Sequence, residues 1–249
     1  MNIQALIFDL DGTAIPSRID GMPSQAVIDA VQKAKKVCHV AVATGRPYSL
    51  SKNILEALTI DDLCILNGGA SLYSCKTHEY VWQQEINIPT LEEMVYKLKK
   101  FRAKDVEDNT LQGKVKLSEY HPKGLTCLLC VFAVNRVESE EIVAIVKGFS
   151  GLTAHAMSSH TLGAYDVHIT HELATKKHAL QSLLARLNVD HHDVMVVGDG
   201  GNDLPLFELA GLKVAMENGA EILKQKADWI APSVDDDGLA AAIDKYILS

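Results

Sequence analysis

Four short segments of this chain carry side chains that can do chemistry together. In Asp9-Leu10-Asp11-Gly12-Thr13, side chains two apart share a face of extended backbone, so Asp9 and Asp11 converge while Leu10 points away. Paired carboxylates repel unless one is protonated or a cation sits between them, which suggests a magnesium-assisted carboxylate nucleophile. Gly198-Asp199-Gly200-Gly201-Asn202-Asp203 is a second acidic turn, with Asp199 and Asp203 offering the hard oxygen ligands that magnesium prefers. Thr44-Gly45-Arg46-Pro47 combines a hydroxyl and backbone N–H groups ahead of a helix, a natural cradle for phosphate. Lys176 stands at a helix start, where the partial positive charge disfavours a cation unless an anion is present. Each segment alone also has a purely structural reading: an acidic turn, a capped helix, a solvated lysine, a tight loop.

The elements around these segments place all four at strand ends or helix starts. The apolar run Ile3 to Phe8 reads as a buried strand ending at Asp9. A helix follows over Ser24 to Lys36, then a strand over Val40 to Ala43 that stops at Thr44, a helix to about Leu58, and a third strand over Asp62 to Leu66. That alternation predicts a parallel sheet, whose carboxyl edge is where ligands bind. The rhythm then changes. Ala70 to Ile86 reads as a hairpin, Thr90 to Lys104 as a helix and Asp105 to Gly124 as a polar stretch. Leu125 to Val134 reads as a strand, Ser139 to Lys147 as a helix, and Leu152 to Met157 and Ala164 to Thr170 as strands. Alternation resumes with a helix over Lys176 to Leu187 and strands at Val194 to Val197, Leu212 to Met216 and Asp228 to Ala231, closed by a helix to about Leu248. The expected architecture is an α/β, Rossmann-like doubly wound parallel sheet interrupted by an α+β insertion.

A hydrophobic content of 47% and a charged content of 22% over 249 residues are those of a globular protein with a real core. No apolar run reaches the length of a membrane span, and the N-terminus shows no signal-peptide pattern, so a cytoplasmic protein with no membrane partner is expected. The net charge of −8 argues against a nucleic-acid partner but not against a small anion beside a bound cation. The five cysteines are odd in number and sit mostly in apolar runs, as buried reduced thiols do. Cys127 and Cys130 have CxxC spacing, but within a strand residues three apart face opposite sides, and no second pair completes a zinc site.

Taken in order, the four segments resemble the motifs of the haloacid dehalogenase superfamily of phosphohydrolases. Asp9 to Thr13 matches its first motif, Thr44-Gly45-Arg46 its second, Lys176 its third, and Gly198-Asp199 with Asn202-Asp203 its fourth. The similarity continues through Val214-Ala215-Met216, Asn218 and Ala227-Asp228 to Asp237-Gly238, which is similar to the Cof-like branch. The resemblance implies a catalytic core over residues 1–83 and 171–249, with an inserted C2-type cap over 84–170 that closes over the substrate and sets specificity. It further implies that Asp9 attacks phosphorus to give an aspartyl-phosphate, and that Asp11 serves as acid to the leaving alcohol and base to the incoming water. Mg2+ is held by Asp9, Asp199 and the Asp11 backbone carbonyl, with Asp203 in support. Thr44, Gly45, Lys176 and Asn202 hold the phosphoryl oxygens, and Arg46 belongs with them or orients the region.

The chain departs from the family at a few places. Lys177 stands where glycine usually follows the motif-three lysine, so the two lysines can exchange roles. Ala14 replaces a common leucine, the cap is short, and His168 stands where an acidic residue is often found. Within the cap, His168, Asp166 and the stretch 105–124 are the candidates for substrate selection.

The second aspartate, Asp11, favours a phosphatase or phosphomutase over a dehalogenase or a P-type ATPase. The leading expectation is a magnesium-dependent phosphatase of small phosphomonoesters, plausibly sugar phosphates. A phosphomutase similar to the phosphomannomutases is the alternative enzyme, and a non-catalytic regulator that binds a phosphometabolite is the alternative class. Either a monomer or a homodimer fits.

Overall fold

The computed structural model describes residues 3–18, 20–109, 111, 113–159 and 161–249. By its internal contacts the chain divides into two compact units, one of Met1–Trp82 with Thr175–Ser249 and one of Gln83–Ala174.

The first unit begins with β1 (Ala5–Phe8), α1 (Gln25–Ala34), β2 (His39–Val42), α2 (Tyr48–Ala57), β3 (Leu63–Leu66), β4 (Ser71–Ser74) and β5 (Glu79–Gln83). The second unit holds α3 (Ile88–Lys97), β6 (Asp105–Asp108), β7 (Val115–Lys116), β8 (Leu128–Val134), α4 (Arg136–Val146), β9 (Leu152–Ser158) and β10 (Tyr165–His171). The chain then completes the first unit with α5 (Lys176–Leu187), β11 (Val194–Gly198), α6 (Leu204–Phe207), β12 (Leu212–Met216), α7 (Glu221–Lys224), β13 (Trp229–Ala231) and α8 (Gly238–Tyr246).

In the first unit five strands form a parallel sheet in the order β13-β12-β11-β1-β2. The strands are apolar on both faces because both are covered. Leu6, Phe8, Val40, Val42, Met195 and Val197 pack with residues of α1, α2 and α8, while Ala5, Ile7, Ala41, Val194 and Val196 pack with residues of α5 and α6. Caps set the helix starts. The Ser24 hydroxyl accepts from the Val27 N–H (3.2 Å) and the Thr175 hydroxyl from the His178 N–H (3.3 Å).

The third strand departs from the expected parallel sheet. β3 touches the parallel sheet through one bridge, Ala43 to Ile65, and its ladder runs antiparallel to β4. The cause is the turn that follows it. Asn67, Gly68 and Gly69 all have positive φ, which reverses the chain at once and offers β3 a partner before the parallel ladder can extend.

In the second unit, the antiparallel sheet β7-β6-β8-β10-β9 packs one face on α3 and α4 around Leu91, Met94, Val106, Val131, Ile142 and Val167. The stretch 105–124, read from sequence as polar with no element assigned to it, contains β6 and β7; its Thr110 and Gln112 lie outside the described residues. β6 has only Val106 as an apolar residue, so no hydrophobic alternation announces it. Its buried Asp108 is satisfied by the Tyr120 hydroxyl (2.6 Å) and the Leu111 N–H (3.0 Å). Two helices also start earlier than expected. Asn87 caps α3 through the Thr90 N–H (3.3 Å), and Asn135 with Glu138 forms a reciprocal capping box at α4.

Candidate active site

β1 and β11 lie side by side and in register, so Asp9 and Asp199, each just past its strand, arrive at the same sheet edge. Asp9 is buried, and its N–H donates to the Val197 carbonyl (3.1 Å), which continues the ladder one residue beyond β1. Its Oδ1 accepts from the Leu10 N–H (2.9 Å) and lies 3.2 Å from the Lys176 ammonium. Both contacts fall on Oδ1, which leaves Oδ2 as the oxygen open to an electrophile.

Lys176 is the first residue of α5, and its buried ammonium also contacts Asp203 Oδ1 at 2.6 Å. The other Asp203 oxygen accepts from the N–H groups of Asp199 and Gly200, both at 3.1 Å, and so shapes the acidic turn. One helical step separates the two lysines. Lys177 points to the surface and pairs with Glu208 (2.6 Å), so Lys176 is the one at the carboxylates.

Carboxylate oxygens of Asp9, Asp199 and Asp203 lie within 4.8 Å of one another. Three carboxylates against one ammonium leave a surplus of two negative charges when all are ionised. Burial pushes the Asp9 carboxyl up to about 8, against the pull of Lys176 and with help from Asp203. Burial, then Asp203, pushes Asp199 up to about 6. Burial alone would draw the Lys176 ammonium down, but Asp203 and Asp9 outweigh it and hold it above the ordinary lysine range. A hard divalent cation among these oxygens is the partner that such a surplus fits. The Asp11 carboxylate stands outside this group, so a part for Asp11 in holding a metal falls to its backbone carbonyl. A second group, Asp190, His191 and His192, is exposed where the chain enters β11, at the opposite end of that strand from Asp199.

Gly12 has φ +74° and packs on Asp199, where a Cβ would overlap the carboxylate. The turn it makes is tied to the loop after β12 by the Asn218 amide, which donates to the Gly12 carbonyl (2.9 Å).

The Thr44 segment behaves in two ways. Thr44 is buried, its hydroxyl oxygen accepts from the Arg46 N–H (3.1 Å), and its own O–H remains free to donate; Gly45 next to it is open. Arg46 instead turns its guanidinium onto Asp11 as a fork, Nε to Oδ2 at 2.8 Å and one terminal nitrogen to Oδ1 at 2.6 Å. It stands on the acid–base candidate, not in an empty anion pocket. Asn202 is exposed on the acidic turn.

Asn67, directly after β3, is a residue that sequence reasoning did not single out. It is buried at φ +54°, its N–H donates to the Arg46 carbonyl (3.1 Å), and its side-chain Oδ1 has no hydrogen-bond partner among the described residues. The next glycines complete the contact: the Gly68 N–H donates to the Thr44 carbonyl (3.0 Å), and a Cβ on Gly69 would overlap the backbone of Thr175 and Lys176. Asn-Gly-Gly after a strand was the available signal, since glycines in series permit such an approach.

In the second unit Asp166 has a structural task. β8 bulges between Val131 and Val134, and the Asp166 carboxylate accepts from the freed Ala133 N–H (2.9 Å).

A family model described as haloacid dehalogenase-like hydrolase matches residues 6–111 and 104–243, and the chain belongs to that family; it is a hydrolase. Among curated relatives, it is 25% identical to the putative phosphatase YkrA of Bacillus subtilis, over 98% of this chain and 97% of that one. It is likewise 25% identical to the phosphoglycolate phosphatase of Archaeoglobus fulgidus, over 96% and 95%. The sugar phosphatase BT4131, of HAD subclass IIB, shares the fold with a TM-score of 0.78 at 20% identity, covering 98% of each chain. Among the described residues no helix is long and apolar enough to cross a membrane.

Proposed function

We propose that this chain is a magnesium-dependent phosphatase of small phosphorylated metabolites, with sugar phosphates as the leading class, working through a covalent phosphoryl-aspartate. The observation that carries this reading is the state of Asp9: buried, fixed through Oδ1 by Lys176 and the Leu10 N–H, with no such contact on Oδ2 among the described residues. A carboxylate held in this way is a positioned nucleophile, and in-line attack by Oδ2 on phosphorus releases the alcohol.

Asp11 protonates the leaving oxygen and later takes the proton of the water that cleaves the acyl phosphate. Both of its oxygens are engaged by Arg46, so this work requires one arm of the fork to open. The Thr44 hydroxyl, the Gly45 N–H and the Asn202 amide receive the phosphoryl oxygens, and Lys176 fixes the nucleophile and offsets the charge gathered around it. Asp9, Asp199 and the Asp11 carbonyl would hold Mg2+, with Asp203 keeping the turn in shape. Bound there, the ion supplies charge neutralisation between the nucleophile and the phosphoryl group. The Gln83–Ala174 unit selects the leaving group, and the protein works in the cytoplasm on a small substrate, with no nucleic-acid or membrane partner.

The test is phosphate release from a panel of sugar phosphates, phosphoglycolate, nucleotides and other small phosphoacids, with Mg2+ or with EDTA. We expect turnover that requires Mg2+ and that falls at least about 1,000-fold in Asp9→Asn. Turnover unchanged by EDTA, or retained in Asp9→Asn, would overturn the reading.

A further inference from the structure

Cys64 and Cys75 are two thiols of the first unit that phosphoryl chemistry does not use; both pack at the hydrophobic core, Cys64 within it and Cys75 at its margin. In the β3–β4 ladder Cys64 pairs with Tyr73, and Cys75 follows two residues on, so the two thiols share a face as diagonal neighbours. Their sulfurs are 3.6 Å apart. Cys64 is fully buried, whereas Cys75 is partly exposed and open to small solutes. Among the described residues no third histidine, cysteine or carboxylate completes a metal-binding group with them, so a zinc site lacks ligands.

We infer that Cys64 and Cys75 are a reversible dithiol–disulfide pair, oxidised by hydrogen peroxide or a peroxide of similar size, and that forming the bond disturbs the loop behind Thr44 and Lys176. This inference does not rest on the phosphatase reading. In the first step the Cys75 thiolate attacks one peroxide oxygen. The S–O bond forms as the O–O bond breaks, and the departing hydroxide takes a proton to become water. In the second, the Cys64 thiol gives up its proton and attacks the Cys75 sulfur; the S–S bond forms, the S–O bond breaks, and a second water leaves. Two thiols have lost two electrons and two protons, and one peroxide has become two waters. Cys75 is suited to attack first, because the hydrogen bond from Cys64 draws its thiol below the usual range. By contrast, burial pushes Cys38 and Cys127 up to about 11.

The bond cannot close without moving backbone. Diagonal neighbours on paired strands have Cα atoms about 7–8 Å apart, beyond the usual span of a disulfide. The sulfurs themselves must approach by about 1.5 Å to reach bonding distance. Whatever part of the movement β3 takes up is passed on, because its far end is tied to the site. The Ile65 carbonyl accepts from the Thr44 N–H (2.9 Å), and the Asn67 and Gly68 N–H groups donate to the Arg46 and Thr44 carbonyls. Gly69 lies against Thr175 and Lys176. A strand drawn toward β4 therefore pulls on the Thr44 cradle and on the start of α5.

The experiment treats the reduced 249-residue chain with hydrogen peroxide, then combines alkylation, peptide mass mapping and hydrogen–deuterium exchange. We expect two of the five thiols to become unavailable to alkylation, a linked Cys64–Cys75 peptide, and full return of both thiols with dithiothreitol. Cys75→Ser, and Cys75→Ala should the first fold poorly, abolishes the link, while Cys38→Ser leaves it intact. Exchange at residues 44–46 and 65–69 rises in the oxidised wild type and not in oxidised Cys75→Ser. Oxidation of Cys75 to a sulfinic acid with no link overturns the pair, as does a link to another copy of the chain. A Cys64–Cys75 link with unchanged exchange at both segments overturns the coupling to the site.

Discussion

The two large sheets of this molecule deal with polar side chains in opposite ways. The parallel sheet is covered on both faces, β1 and β11 are buried at every position, and its reactive groups gather where the strands end. There the charges are buried and must satisfy one another, as Asp9, Lys176 and Asp203 do. The antiparallel sheet has helices on one face only. Its other face carries a row in register, Glu107, Cys130, His168 and His155, of which Cys130 is buried, Glu107 and His168 are half-buried and His155 is exposed. A doubly covered sheet concentrates chemistry at its edge, at a high cost for any unpaired group, while a singly covered one tolerates polar variety at little cost.

The sharpest way to break that contrast is Asp203→Ala. It removes the nearer of the two carboxylates at Lys176, leaving only Asp9, and strips the Asp199 and Gly200 N–H groups of their acceptor, so urea unfolding should show a loss of about 2–4 kcal/mol. A loss below about 1 kcal/mol would mean that the edge charges are not mutually dependent.

Arg46→Ala sharpens the picture within the edge. If the fork positions Asp11, kcat should fall about 10- to 100-fold for alkyl phosphates, less than the roughly 100- to 10,000-fold of losing general acid catalysis outright, and clearly less for p-nitrophenyl phosphate, whose leaving group needs no proton. A rise in KM alone, equal for both substrates, would return Arg46 to the phosphate.

The third prediction uses pH. Asp199 is raised from the usual carboxyl range to about 6 and Asp9 to about 8, so in metal-free protein their favourable contribution is present at low pH and lost as pH rises from about 4 through 8. The increase in melting temperature on adding Mg2+ should therefore grow across that window, and Asp199→Asn should flatten it. A shift equal at pH 5 and pH 8 would contradict the surplus of negative charge.

The smallest effect belongs to the open face. His155→Ala should change stability by no more than about 0.5 kcal/mol while reordering the substrate panel. A large loss of stability would show that this face is packed like the parallel sheet.

Much of the edge was legible because its chemistry is local. Asp9 and Asp11 are two residues apart on a strand, Asp199 to Asp203 lie within one turn, and Thr175-Lys176 opens a helix with its own cap. Hydrophobic periodicity likewise marked β1, β2, β11 and α5, whose buried faces leave a clear pattern. The missed elements lack that pattern. β6 hides in Asp105-Val106-Glu107-Asp108, where a buried carboxylate is made acceptable by a tyrosine twelve residues away.

By itself, then, the sequence determined the family, the alternation of strands and helices in the core, and the residue types present at each strand end. Tertiary structure decided their partners. Arg46 forks onto Asp11, Lys176 rather than Lys177 meets Asp9, Asp166 serves a bulge, and Cys64 lies beside Cys75. Each of these pairings depends on strand register, on the rotation of a helix by one residue, or on a reversal of the chain. Such quantities are set by packing over the whole unit and leave no periodic mark along the chain.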